Sequence, residues 1–158
     1  MGKTMKCVVF IMGRETYGME IARVKEILHV PEIITRMPES PDALKGVFNL
    51  RDKVVPIIDL KKVFDLGDFV CRPESRLLVF DAAGSSFAVL VDAVTEVLDL
   101  DEDQIERAGA VLPVWKDGMV RGIGKQDGRL IILLDAESVK AEALDAAVAG
   151  NGGHPWMR

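Results

Sequence analysis

Histidine and cysteine are scarce in this sequence, two of each in 158 residues. Much catalytic and metal chemistry draws on both, so the scarcity narrows the field at once. Neither His29 nor His154 has histidine, cysteine or carboxylate neighbours at metal-ligand spacing. His29 reads as a partly exposed residue at the end of an element. Cys7 and Cys71 form no close-spaced pair and read as reduced, buried, cytosolic thiols rather than a disulfide framework. A basic excess is missing too. The net charge of -5 argues against a nucleic-acid surface, and no dense Lys/Arg run is present to hold anionic lipid. No stretch approaches the roughly 20 apolar residues of a membrane span. Met1 to Lys6 leads only into the short apolar run Cys7 to Met12. Glu15 and Glu20 follow soon after, so the start does not read as a signal peptide.

The familiar ligand motifs fail on their own spacing. Asp99-Leu100-Asp101-Glu102-Asp103 invites a calcium loop, but the sixth position is Gln104 rather than glycine and the twelfth is Ala110 rather than glutamate. An acidic turn in which Asp101 caps a helical turn towards Gln104 fits better. Gly122-Ile123-Gly124 lacks the spacing and the following helix of a dinucleotide fingerprint. No glycine-rich loop ends in Gly-Lys-Ser/Thr. Ser85 and Ser86 follow Gly84 without the strand-turn-helix setting of a nucleophile elbow. An enzyme is therefore disfavoured, no cofactor or metal is expected, and a binding module is the stronger class.

What is present is material for a core. Hydrophobic residues are 49% and charged residues 28%, a globular mixture. Lys6–Met12 and Tyr17–Ile21 read as strands about a turn at Gly13–Thr16. Ile21, Val24, Ile27 and Leu28 fit either a helical turn or a strand. Pro31, Pro38 and Pro41 punctuate the next segment, and Ser40–Leu44 predicts a short helical turn capped by Ser40. Gly46 to Leu60 reads as a hairpin broken by Arg51, Asp52 and Lys53, with Pro56 placing its second strand at an edge or a bulge. Asp59 caps a turn through Phe64, and residues 65–75 form a surface connection. Arg76–Asp81 and Phe87–Val91 repeat the strand-turn-strand pattern. Residues 109–118 around Trp115 are loop-like. Asp127-Gly128 marks another hairpin. Ala136 to Ala149 predicts a short C-terminal helix, and 150–158 a flexible tail.

The two halves match. Phe10, Tyr17, Ile21, Val24, Glu26 and Leu28 recur as Phe80, Phe87, Val91, Val94, Glu96 and Leu98, each 70 positions on. Gly46, Val47, Asp59 and Val63 recur as Gly122, Ile123, Asp135 and Val139, each 76 positions on. The growing offset places an insertion in the second copy, in the acidic or Trp115 segment. Two units of about five strands each are too small to bury enough apolar area alone, so a shared interface is expected. Short strands and little helix favour small barrels or a sandwich.

Several runs together resemble the CheW family, the coupling proteins of bacterial chemotaxis arrays. They are Tyr17–Ile21 with Val24–Ile27, Pro38, Pro41, Lys45–Arg51 and Val54–Leu60. In the second half they are Leu90–Leu98, Gly122–Lys125 and Gly128–Asp135. The resemblance covers about Lys6 to Val139. It implies a mostly all-β fold of two packed five-stranded SH3-like β-barrels with short helical turns and a short C-terminal helix. The two subdomains would span approximately 6–70 and 71–140, with exchange of strands between them left open.

The resemblance also implies a non-catalytic cytoplasmic adaptor, recruited to membrane-associated receptor arrays without touching the membrane. Its partners would be the cytoplasmic tip of a methyl-accepting chemotaxis receptor and the regulatory domain of the histidine kinase CheA. A scaffold of a related motility or biofilm pathway is the alternative. With no receiver or kinase segment, the chain looks like the stand-alone coupling protein rather than CheV or CheA. Carried across by motif, the receptor contact falls on Ile21, Val24, Glu26, Asn49, Leu50, Arg51, Ala88 and Val89, as an apolar groove near the barrel junction. The kinase contact falls around Lys45 and Val54. Asp52 stands where the family usually has glycine, in a position that needs left-handed backbone. The family pattern further pairs Arg51 with Glu26.

Overall fold

The computed structural model describes residues 3–40, 42–82, 84–107 and 118–150. The Trp115 segment and the tail beyond Gly150 lie outside the described residues. Among the described residues there are eleven strands: β1 (Thr4–Met12), β2 (Glu15–Glu20), β3 (Val24–His29), β4 (Leu44–Leu50), β5 (Lys53–Ile58), β6 (Arg76–Ala82), β7 (Ser85–Val91), β8 (Ala93–Asp101), β9 (Ile105–Arg107), β10 (Val120–Gln126) and β11 (Arg129–Leu134). The α-helices among the described residues are the single turn α1 (Leu60–Val63) and the fifteen-residue α2 (Ala136–Gly150). The strands form a six-stranded sheet in the order β8-β1-β2-β11-β10-β9 and a five-stranded sheet in the order β3-β6-β7-β5-β4. This is the mostly β, two-unit architecture expected, with the three-residue β9 supplying the sixth strand.

Each sheet mixes strands from the two halves of the chain. β2 runs parallel to β11, with Gly18 opposite Leu133, and β5 runs parallel to β7, with Ile58 opposite Val89. The largest hydrophobic cluster lies between the sheets. Phe10, Met12, Tyr17 and Met19 meet Leu78, Phe80, Phe87 and Val89 there. Two smaller clusters fill the separate sheets, one around Phe48, Val55 and Leu77 and one around Cys7, Val9 and Leu100. The interface is thus the main core, as units this small require.

The duplication holds in three dimensions. The matched pairs Phe10–Tyr17 and Phe80–Phe87 face each other across adjacent strands, with ring centroids 6.0 Å and 5.5 Å apart. Gly46 and Gly122 sit at equivalent register shifts. A Cβ on Gly46 would lie 2.4 Å from the Thr35 carbonyl oxygen, and one on Gly122 2.5 Å from that of Glu106. Thr35 bridges to Val47 as Glu106 pairs with Ile123, so most of the second copy's insertion falls after Arg107.

Four local expectations change. Residues Ile21–Arg23 form a 3₁₀ turn and β3 begins at Val24, so the ambiguous segment is both. Ser40 caps no helical turn. Its hydroxyl donates to the Met37 carbonyl, and Leu44 already opens β4. Pro56 is in an interior strand without a bulge. It is tolerated because β7 pairs only with Ile57 and Ile58, leaving that side of Pro56 free of a ladder. Cys71 is exposed, since it lies in the strandless 65–75 connection. Cys7 is buried as expected, and burial, with Asp99 nearby, raises its thiol to about 11. Asp59 caps α1, accepting from the Lys61 and Lys62 amides. Gln104 accepts from the Asp101 amide at 2.8 Å, as the acidic turn predicts.

Candidate functional site

The β4–β5 hairpin closes through two residues, Arg51 (φ 49°) and Asp52 (φ 68°). Lys53 is already in the ladder, opposite Leu50. Positive φ at both central positions matches the right-handed twist of the flanking strands, which is why such hairpins favour Asn-Gly or Asp-Gly. The second copy obeys the preference with Asp127 (φ 50°) and Gly128 (φ 79°). Asp52 takes the glycine position without breaking the turn. Arg51 is the costlier choice, because a long side chain in left-handed backbone is uncommon.

That backbone aims Arg51 at β3. Both terminal nitrogens of its guanidinium donate to the Glu26 carboxylate, one to each oxygen. Arg51 remains 67% exposed and Glu26 20% exposed at the side chain, so the pair sits at the surface with the carboxylate half sunk. The arginine hydrogen bonds hold the Glu26 carboxyl below its ordinary range, and the glutamate in turn raises Arg51. A planar fork on a carboxylate fixes orientation as well as charge.

The other expected residues divide into three groups. Ile21 is exposed, Val24 is half-buried against the main core, Asn49 is exposed, and Leu50 is half-buried against the smaller core of the same sheet. With Glu26 and Arg51 they supply surface. Ala88 and Val89 do not. Both have no exposed area, because β7 lies between β6 and β5 and packs on both faces. They are core residues, and the expected contact there is corrected to a structural role. Lys45 and Val54, expected on one kinase face, lie at opposite ends of the β4–β5 ladder. Val54 is 71% exposed, whereas Lys45 is half-buried at the register shift beside Gly46.

Two features escaped the sequence reading. Ile27, 44% exposed, follows Glu26 on β3 and turns to the opposite face, as the strict alternation of Val24–His29 signals. The concavity next to the hairpin, ≈ 730 Å³, is lined by Lys25, Lys53 and Lys140 as well as by Val54 and Pro56, so it is basic and apolar together. Among the described residues no group of His, Cys, Asp or Glu is arranged to hold a metal ion, and no helix is long and apolar enough to cross a membrane.

Comparison with known proteins agrees with this geometry. A family model described as CheW-like domain matches residues 6–143. The chemotaxis protein CheW of Klebsiella aerogenes is 33% identical over 132 residues, covering 84% of this chain and 79% of that protein. The Bacillus subtilis chemotaxis protein CheW is 30% identical over 134 residues, 85% of each. The crystal structure of the scaffolding protein TtCheW from Thermoanaerobacter tengcongensis matches with a TM-score of 0.77 at 37% identity, over 85% of this chain and 91% of that one. With two β units joined through a shared core and matches that span nearly the whole described chain, the protein belongs to the CheW-like domain family.

Proposed function

We propose that the chain is a non-catalytic adaptor of bacterial chemotaxis, coupling the cytoplasmic tip of a methyl-accepting receptor to the regulatory domain of the histidine kinase CheA. The observation that carries this reading is the Glu26–Arg51 fork on a left-handed turn, in a sheet that also leaves Ile27 and Val54 exposed, with exposed Ile21 just before β3. An exposed ion pair adds little to folding, and a left-handed arginine opposes it. An arrangement that contributes little stability is better explained by what it presents to a partner. Ile21, Val24, Glu26, Asn49, Leu50 and Arg51 form the receptor side of the proposal, where an amphipathic helix would lay its apolar face against Ile21 and Val24. Val54 and, more distantly, Lys45 form the kinase side.

The same reading makes the chain one domain of two subdomains, approximately 6–70 and 71–140, that exchange strands. It places the protein in the cytoplasm, held at receptor arrays through its partners. The names of the relatives favour chemotaxis over a motility or biofilm pathway. Capture by an immobilised receptor cytoplasmic fragment and by CheA tests the proposal. Binding to both is expected, and binding to neither would sink the adaptor reading.

A further inference from the structure

The duplication allows one region of the molecule to be compared with itself. In the second copy, Asp135 and Arg121 flank a small cavity of ≈ 200 Å³, and side chains of the chain itself close both. Ser138 donates to Asp135 Oδ2 twice, from its amide at 2.9 Å and its hydroxyl at 2.6 Å. Glu20 accepts from Arg121 at 3.0 Å. The equivalent residues of the first copy are Asp59 and Lys45, and there the cavity is ≈ 560 Å³.

Two substitutions between the copies explain the larger space. Lys62 stands where Ser138 stands, and it is drawn outward to Asp68 at 2.5 Å. Leu90 stands where Glu20 stands, as the parallel pairing of Met19 with Leu134 and of Val89 with Ile58 fixes. Leu90 is buried and has no charge to offer. Asp59 is only 3% exposed, and both of its hydrogen bonds go to Oδ1. Among the described residues, Oδ2 receives no hydrogen bond and Lys45 makes no close ion pair, although the charges of Lys45 and Lys62 both act on Asp59. A buried carboxylate with an unused oxygen is an acceptor without a donor.

We infer that the Lys45–Asp59 cavity is a ligand site for a group carrying a carboxylate beside a hydrogen-bond donor. The carboxylate meets Lys45, as Glu20 meets Arg121. The donor meets Asp59 Oδ2, as Ser138 meets Asp135. A free amino acid and a Ser-Glu-like segment of a partner polypeptide both have this chemistry. Met37, Leu44 and Phe69 supply an apolar wall for either, and Arg36 joins Lys45 and Lys62 against the carboxylates of Glu39, Asp42 and Asp68 that also line the cavity. The inference does not depend on the adaptor reading.

The test is a titration of the 15N-labelled chain with L-serine and, separately, with N-acetyl-Ser-Glu-amide, following backbone amide shifts. Saturable shifts at Lys45, Lys61 and Lys62 are expected. L-serine acting alone assigns a small ligand, and the blocked dipeptide acting alone assigns a polypeptide segment. Two variants control for the loss of the Lys62–Asp68 pair. Lys62→Ser restores the hydroxyl of the second copy and should weaken binding about tenfold, the worth of one hydrogen bond to a charged group. Lys62→Met offers Asp59 nothing and should bind as the parent does. No saturable shift with either probe, or equal weakening in both variants, overturns the assignment.

Discussion

Arg51 grips Glu26 across 25 positions of sequence, each terminal nitrogen of the guanidinium on its own carboxylate oxygen. The duplicate of Glu26 is gripped too, by a residue two places further along the second hairpin. Arg129 donates to Glu96 at 2.9 Å. The carboxylate is thus part of the repeated architecture, while its arginine has moved from the strand into the turn in the first copy. That shift exposes the guanidinium at the hairpin tip.

Charge reversal separates presentation from stability. Glu26→Arg or Arg51→Glu alone is expected to weaken capture of the receptor fragment or of CheA by about tenfold, the range of a broken recognition pair. Melting temperatures should move little. The double exchange should recover most of the binding, which parallel pull-downs and thermal melts can measure. Undiminished capture by both single variants removes the pair from recognition.

Acid titration gives a second test, because two carboxyls move in opposite directions. Arg51 lowers Glu26 in the folded state, so the stability from this pair is present above the unfolded value and is lost as pH falls through the folded one. Asp59 is raised by burial, against the amide hydrogen bonds that lower it. Its contribution is therefore present below its unfolded value and is lost as pH rises through the folded one. Carboxyl 13C shifts should show Glu26 titrating below its own ordinary value and Asp59 above its own. Arg51→Gln should return Glu26 towards its ordinary value and leave Asp59 in place.

At Asp59 the cap and the charge can be told apart. Asp59→Ala removes the acceptor of the first amides of α1 and is expected to destabilise by about 1 kcal/mol. Asp59→Asn keeps an acceptor oxygen and removes a buried charge, so urea unfolding should place it within about 0.5 kcal/mol of the parent, or above it. Equal losses in the two variants would mean that the charge itself is needed.

The glycines at the register shifts predict a matched pair of losses. A methyl group on Gly46 or Gly122 meets a backbone carbonyl that cannot swing away as a side chain could. Gly46→Ala and Gly122→Ala should each destabilise by about 1–3 kcal/mol, the range of a forced backbone shift. Gly13→Ala meets nothing within 4 Å and has only its positive φ to oppose it, so a loss nearer about 1 kcal/mol is expected. Denaturation midpoints of the three variants check the ranking.

Much of this was legible in the residues. The constant offsets of 70 and 76 carried the duplication, and the matched aromatics, hairpins and caps fall where those offsets put them. The pairing of Arg51 with Glu26 is what the family resemblance implies, and the structure has it. The errors have a common physical source, since they concern which face a residue turns. Ala88 and Val89, expected at a contact surface, are buried. Phe87–Val91 is an unbroken apolar run, the mark of a strand buried on both faces. The exposure of Cys71 follows from the surface connection that holds it, whereas the exchange of strands between sheets depends on long-range pairing that short local patterns do not encode.

The parallel pairing of β2 with β11 has a consequence for synthesis. The five-stranded sheet is complete once Val91 has left the ribosome, because every strand it needs has by then been made. β1 and β2 precede all the other strands in chain order, yet β2 has no parallel partner until Leu134 emerges. The nascent chain therefore carries a hairpin with an open, apolar edge through most of its elongation, a state that invites wrong pairing. Protease pulses on stalled chains should find Phe10 and Tyr17 vulnerable until the final strand is free, and protected thereafter.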